Sequence, residues 1–309
     1  MKTILHLLTP ALFAFALSAT TASAASATNK SLVIWDNAPA SNWDVAYPVG
    51  NGRLGAMPFG QFPKEKILLN EETIWANGPA LEMPENSFEH LERIRELEAE
   101  GNYGGADWTF ERKLLANKVP YSYQLAGYLD LEYVNTAELK DTVRELDLET
   151  GVAQSVHTLS DGSTITQQVY ASAVDDVIAV SIASTTNISV KLSMDGGIVR
   201  DGHIVKMAAA TGENATRFVN VVRALPADKV TAAGNTLEVK DAREITVYLS
   251  VATDFDRQDS SAKLPDGWQN KAIQNLNALA GKTTEAVQQA AMADHQSYFD
   301  RMEIDFGET

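Results

Sequence analysis

From residue 129 to 252 apolar and polar positions alternate. Ile188, Val190, Leu192 and Met194 are separated by Ser189, Lys191 and Ser193, and Ile245, Val247, Leu249 and Val251 by Thr246, Tyr248 and Ser250. A period of two puts each apolar set on one face of a strand. Further strands are expected at 165–170, 177–182, 204–207 and 218–222. Turn pairs fall between them: Asp161-Gly162, Asp195-Gly196, Asp201-Gly202 and Gly234-Asn235. Many short strands with one apolar face each imply a mainly β fold, a large antiparallel β-sandwich.

The period changes on either side of this region. Asn86 with Glu89 three residues later reads as a capping box. Phe88, Leu91, Ile94 and Leu97 then continue at helical spacing to Gly101, which predicts a helix over 87–100. A second short helix is expected over 107–117, so residues 86–117 form a short helical insertion on one side of the sandwich. A polar connector at 258–267 precedes two more predicted helices, 268–279 and 284–302, broken at Gly281. The expected organisation is a leader at 1–24, a β-sandwich domain at 25–257 and a C-terminal helical linker at 258–309.

The stretch from Trp43 to Pro79 fits neither period. It carries Gly50, Gly52, Gly55, Gly60 and Gly78 among apolar pairs, too dense for a helix and too apolar for a disordered linker. Glycine admits left-handed backbone and close approach, so these residues read as sharply turning strands. Asn51, Arg53, Asn70, Glu71 and Trp75 bring amides, a guanidinium, a carboxylate and a planar aromatic. Those groups suit the wall of a sugar-binding cleft, but residue types alone favour the plainer reading, a tightly turned β-core with Trp75 buried, since clefts take few of a protein's residues. Arg53 is assigned a structural role, clamping a carboxylate or carbonyls between domains, because a buried guanidinium needs such partners.

The amino terminus has Lys2, an apolar run from Ile4 to Leu17 and then Ala22-Ser23-Ala24, the order of a secretory signal peptide. Cleavage is expected after Ala24, with Ala25-Ser26-Ala27 a second option. Pro10 and the shortness of the run argue against a retained span, which needs about 20 residues. The expectation is an exported chain, periplasmic or extracellular, with no membrane partner once the leader is removed. There are no cysteines, so disulfides and thiolate metal sites are excluded and stability must come from the core. The formal charge of −16 repels phosphate backbones and excludes nucleic acid as a natural partner.

Chemistry is sparse. Glycoside hydrolysis needs two carboxyl groups, about 6.5–9.5 Å apart in inverting enzymes. Glu71 and Glu72 are adjacent, so on a strand they face opposite ways and cannot act as a pair. Glu132, Asp147 and Glu149 are expected to face solvent. His90, His157, His203 and His295 are scattered, without the spacing of a metal site, and read as surface or packing residues. Asp175-Asp176 and the group Asp254, Asp256, Asp259 read as solvated loop charges. No metal or cofactor is called for.

The motifs of the Trp43–Pro79 stretch resemble the amino-terminal domain of family 95 glycoside hydrolases, the inverting α-L-fucosidases. That family's W-x-x-A-x-P-[IV]-G-N-G-R-L-G-A-M segment is matched by Trp43, Ala46 and Pro48 through Met57. Its L-N-E-x-T-[IL]-W-x-x-G-P segment is matched by Leu69 through Glu71, Thr73 to Trp75, and Gly78 with Pro79. A later Y-Q-x-x-G-x-L-x-L-x-[FY] pattern is met by Tyr123, Gln124, Gly127, Leu129, Leu131 and Tyr133, with Ala126 where proline is usual. His295, Phe299, Asp300, Arg301, Asp305 and Gly307 resemble the family's linker. The resemblance implies a super-sandwich followed by an (α/α)6 barrel that carries the catalytic carboxylates and is absent from this chain. It also implies that Asn70, Glu71 and Trp75 border the sugar pocket, with Asn51, Arg53, Gly78 and Pro79 at the domain interface. The implied partners are the barrel and a fucosylated oligosaccharide or polysaccharide; some relatives act on L-galactosides. A stand-alone carbohydrate-binding or scaffold module is the alternative. In a chain without the barrel, the helices from Trp268 to Met302 would expose an apolar stripe.

Overall fold

A computed structural model describes residues 32–76, 84–115, 122–259, 262–304 and 307. The leader, Gly78, Pro79 and Asp305 lie outside the described residues. Within them, antiparallel strands form one curled sheet, with β1 (Val33–Asp36), β2 (Val49–Gly50), β3 (Leu54–Pro58), β4 (Lys64–Glu71) and β5 (Gly127–Val134) first in the chain. They are followed by β6 (Leu139–Asp147), β7 (Val152–Leu159), β8 (Thr164–Ser172), β9 (Val177–Ser193) and β10 (Ile198–Arg200). The last four are β11 (His203–Ala209), β12 (Arg217–Leu225), β13 (Val230–Ala233) and β14 (Thr236–Thr253).

Two long strands make the sheet a sandwich. The first half of β9 pairs with β8 and its second half with β5. Likewise β14 begins against β13 and ends against β12, while pairing with β9 along both halves. One layer therefore runs β1-β6-β7-β8-β9-β14-β12-β11-β10, and the other is β2 to β5 joined through β9, with β13 joined through β14. The crossing falls where polar residues interrupt the apolar alternation, at Ser184–Asn187 and Lys240–Glu244. There the register shifts twice, and Asp241 adopts φ 53°. A bulge bends a strand, and here it turns both strands from one layer into the other.

Apolar faces meet between the layers. Ile67, Leu69, Leu129 and Leu131 from one pack with Ile165, Val169, Ile178, Val180, Val247 and Leu249 from the other. The outer face of the larger layer is covered by α3 (Asn270–Ala278) and α4 (Thr284–Phe299). Trp268, Ala272, Leu276, Leu279, Val287 and Ala291 are buried there against Tyr170, Val177, Ala179, Val219, Val221 and Tyr248. The exposed stripe expected of these helices is thus not observed: the sandwich covers it with its own outer face. Tyr298, Met302 and Ile304, at the end of α4 and beyond it, remain exposed.

The helical insertion is α1 (Leu91–Ala99) and α2 (Tyr103–Lys113), with a single 3-10 turn, Ser87–His90, before α1. The expected capping box is absent, because Asn86 is left-handed (φ 61°) and its side chain caps nothing. Asn102 caps instead, accepting from Gly105 N at 3.0 Å, so α2 begins at Tyr103, four residues before the expected start at 107, and takes Gly104 and Gly105 into its first turn.

Candidate functional site

One end of the sandwich gathers the motif residues. It carries the β6–β7 and β8–β9 turns, the ends of β4 and β14 and the start of β12, as the strand registers require. At its centre is Glu71, the last residue of β4 and only 1% exposed. One carboxylate oxygen accepts from Thr73 N at 2.8 Å and Thr73 Oγ1 at 2.6 Å. The other accepts from Arg53 Nη1 at 3.2 Å, and Arg257 Nη2 stands 3.7 Å from it. The Arg53 Nε donates to Asp176 Oδ1 at 2.7 Å, and Asp176 also accepts from Asn275 Nδ2 of α3 at 2.8 Å. Arg53 therefore clamps two carboxylates, and both belong to the sandwich itself rather than to a second domain. Asn51 holds the turn beneath it, accepting from Arg53 N and Leu54 N and donating to Ser172 O.

Glu72 lies in the turn just past β4, so the opposite orientation expected of a strand pair does not hold: Arg257 Nη2 stands 2.5 Å from Glu72 Oε1 and 3.7 Å from Glu71 Oε1, and the two carboxylates converge on one guanidinium. Trp75 is 44% exposed, so the buried-core reading of it does not hold. Its ring meets Tyr123 edge-on at 5.3 Å, and its Nε1 donates to Glu72 O. The Tyr123 hydroxyl donates to Glu71 O at 3.0 Å. Burial, with the Glu71 and Glu72 charges adding to it, raises its pKa to about 12, so it stays a donor. Asn70 lies on the opposite face of β4 from Glu71, with its Oδ1 buried and without a hydrogen bond among the described residues. The structure thus brings Arg53, Glu71, Trp75 and Asn51 together and turns Asn70 away.

Beside Glu71 an open cleft of about 450 Å³ is lined by Arg53, Asp176, Thr253, Arg257, Trp268 and Lys271 among others. Its Glu71 and Asp176 carboxylates are matched by guanidinium groups, its Asp256 carboxylate accepts from backbone N–H groups, and both Glu71 oxygens are engaged. This arrangement can anchor strand ends and present polar groups, but it does not supply two free facing acids for proton transfer.

Two acidic groups expected to be solvated are not. Asp254 is fully buried, accepts from Arg217 N and Nε at 2.8 and 2.7 Å, and has Lys263 Nζ at 3.4 Å. Asp175 is buried and paired with Lys282 at 2.5 Å. Each sits at a strand end where a partner from more than thirty residues away closes over it, which no local pattern announces. Asp256 does behave as a loop group, accepting from Gln258 N and Asp259 N. Among the described residues no three or more histidine or carboxylate side chains converge as a metal site. Of the histidines, His157 is fully buried and burial lowers its pKa to about 4, while His295 donates to or accepts from Leu148 O through Nε2 at 2.9 Å.

Comparison with known families decides the kinship. A model described as glycosyl hydrolase family 65, N-terminal domain, matches residues 34–258, most of this chain. The chain belongs to that family. Alpha-L-fucosidase 2 of Arabidopsis thaliana is 36% identical to this family 65 N-terminal domain over 163 residues, 51% of this chain and 19% of the relative. Probable alpha-fucosidase A of Aspergillus niger is 24% identical over 300 residues, 88% of this chain and 37% of the relative. The protein of the same name from Aspergillus oryzae is 26% identical over 255 residues, 74% of this chain and 34% of the relative. The chain therefore spans between about a fifth and two-fifths of the curated relatives it matches. Among solved structures, a putative kojibiose phosphorylase from human microbiome aligns with a TM-score of 0.47 and 14% identity, covering 87% of this chain and 37% of that one.

Proposed function

We propose that this family 65 N-terminal domain is the non-catalytic sandwich of an exported α-L-fucosidase of the family 95 type. In this reading the complete protein removes α-linked L-fucose from glycans with inversion, and its proton donor and water-positioning groups lie outside these residues. The carrying observation is the state of Glu71. The best-placed motif carboxylate is saturated by Thr73 and Arg53, and its neighbour Glu72 is paired with Arg257, while the relatives are named fucosidases and are much longer than this chain. Export rests on the leader pattern of residues 1–24. It is tested by amino-terminal sequencing of the mature protein, expected to begin near Ala25.

The test of activity compares this chain with a longer product that continues past residue 309, on aryl α-L-fucoside and aryl L-galactoside. Hydrolysis by the longer product alone supports the reading, and hydrolysis by this chain alone overturns it. A glycan-binding module without catalysis is the second reading, favoured by the half-exposed Trp75 set against Tyr123. Replacing Trp75→Ala in the longer product separates the two. A fall in kcat/KM with unchanged melting places the ring at the sugar, whereas equal activity per folded molecule removes it from substrate binding.

A further inference from the structure

His203 takes a part that its isolated place in the sequence does not announce. The Asp201-Gly202 turn sets it as the first residue of β11, half-buried, beside Arg223 of β12. Arg223 Nε lies 3.0 Å from His203 Nε2, and a guanidinium can only donate, so Nε2 is the acceptor and carries no proton. The ring's one proton is then on Nδ1, which donates to Asp201 O at 2.7 Å. The rest of the same guanidinium holds the end of α3. Its Nη1 donates to Leu276 O at 2.7 Å and its Nη2 to Asn277 Oδ1 at 2.5 Å. The last carbonyls of a helix lack full partners within it, and α3 has no basic residue in its last turn to complement them. Arg223 fills that place from the sheet, and His203 fixes which way it points.

We infer that His203 is a pH-sensitive catch: the neutral ring seats Arg223 on the end of α3, and the charged ring lets it go. A proton on Nε2 removes the acceptor and sets two cations against each other at hydrogen-bond distance. Other charged and titratable groups flank the pair. β10 presents Arg200, opposite His203 in register, and the turn presents Asp201, whose carboxylate lies 3.8 Å from Arg200 Nε. β14 presents Tyr248, opposite Arg223, and burial raises its pKa, so it stays neutral. α3 presents the Leu276 carbonyl and the Asn277 amide, neither of which titrates, and its one charged residue, Lys271, lies in its first turn. Burial is the main influence on His203 and lowers its pKa below the usual 6.5. The bond to Asp201 O and the Asp201 charge oppose that, and the Arg223 charge adds to it. The neutral ring's contribution is therefore full above pH 6.5 and is lost as pH falls below it. What loosens is the stretch from Leu276 into the α3–α4 connection, where Lys282 holds Asp175.

Hydrogen-exchange protection of this chain at pH 7.5 and pH 5, each corrected for the intrinsic rate at that pH, tests the inference. Peptides covering 276–282 are expected to lose at least about threefold in protection at pH 5 relative to β9, which reports opening of the sheet. His203→Gln supplies an amide that can accept from Arg223 and donate to Asp201 O but does not titrate. It should keep the protection seen at pH 7.5 and remove the drop. Arg223→Gln should lower the protection at both pH values. Nitrogen NMR of the parent's imidazoles gives a reading without any variant. It should show a neutral His203 protonated on Nδ1 at pH 7.5, with a titration midpoint that coincides with the loss of protection. Equal protection at the two pH values overturns the inference, as does a drop in His203→Gln as large as the parent's. So does a neutral ring protonated on Nε2, or a midpoint that the loss of protection does not follow.

Discussion

Arg53 lies between two carboxylates, and Glu71 has little access to water to replace it. Removing one member of a buried pair leaves the other desolvated and uncompensated, which costs about 3–5 kcal/mol; the partial exposure of Arg53 places this case at the lower end. Arg53→Met is expected to lower the urea midpoint with an unchanged slope, and adding Glu71→Gln should restore part of the loss. His157 gives a pH-dependent counterpart. Burial lowers its pKa from the usual 6.5 to about 4, so the unfolded chain binds the proton more readily. The stabilising effect of the neutral ring is present above pH 6.5 and is lost as pH falls toward 4, by about 2 kcal/mol at pH 5. In His157→Gln that part of the acid loss should vanish, read as the difference between the two unfolding curves at pH 7.5 and pH 5. Glu65 acts in the opposite sense. Burial raises its pKa to about 7 against the pull of the Phe59, Gly60 and Gln61 N–H groups, so its contribution is full below pH 4.5 and fades as pH rises through 7. Residue by residue, the sequence made the motif legible but not its wiring. Asn51, Arg53 and Glu71 stood out by type and spacing, whereas Asp176, Asn275 and Asp254 act through partners distant in the chain.

At the scale of elements, strands were the most legible, because one face of each is buried and one is not. The four turn pairs read from the sequence all sit between strands of the structure. Two strands expected separately, 177–182 and 188–194, are halves of β9. A polar gap normally ends a strand, but here β14 pairs across the bend and keeps the ladder going. Helix starts were the least legible. The capping box at Asn86 fits the side-chain pattern, yet the backbone there is left-handed and the side chain makes no cap hydrogen bond. For α3 and α4 the stripe was visible but not what would cover it. Leu276 of α3 is fully buried against that outer face, with Arg223 Nη1 bonded to its carbonyl at 2.7 Å. Leu276→Ala removes apolar contact and leaves a cavity, a loss of about 2–5 kcal/mol. A midpoint shift of that size in urea checks that the helix is part of the fold rather than an appendage.

For the molecule as a whole, the question is whether the sandwich ends at residue 257 or includes the helices. The sequence places a boundary there because composition changes, and a polar connector is where domains usually part. The packing argues for one cooperative unit. Tyr170, Val177, Ala179, Val219 and Tyr248 line the outer face of the larger layer and are buried only because α3 and α4 lie on them. The buried charges depend on the same segment: Asp175 on Lys282, Asp176 on Asn275, Asp254 on Lys263. A chain ending at residue 257 would expose that apolar face and leave three carboxylates short of partners. It is expected to be insoluble, or to melt well below this chain and without a single sharp transition, as followed by calorimetry and by light scattering. Equal melting of the two would mean that the sheet tolerates its outer face in water. The helices would then contribute little to the cooperative unit, and the boundary at residue 257 would stand.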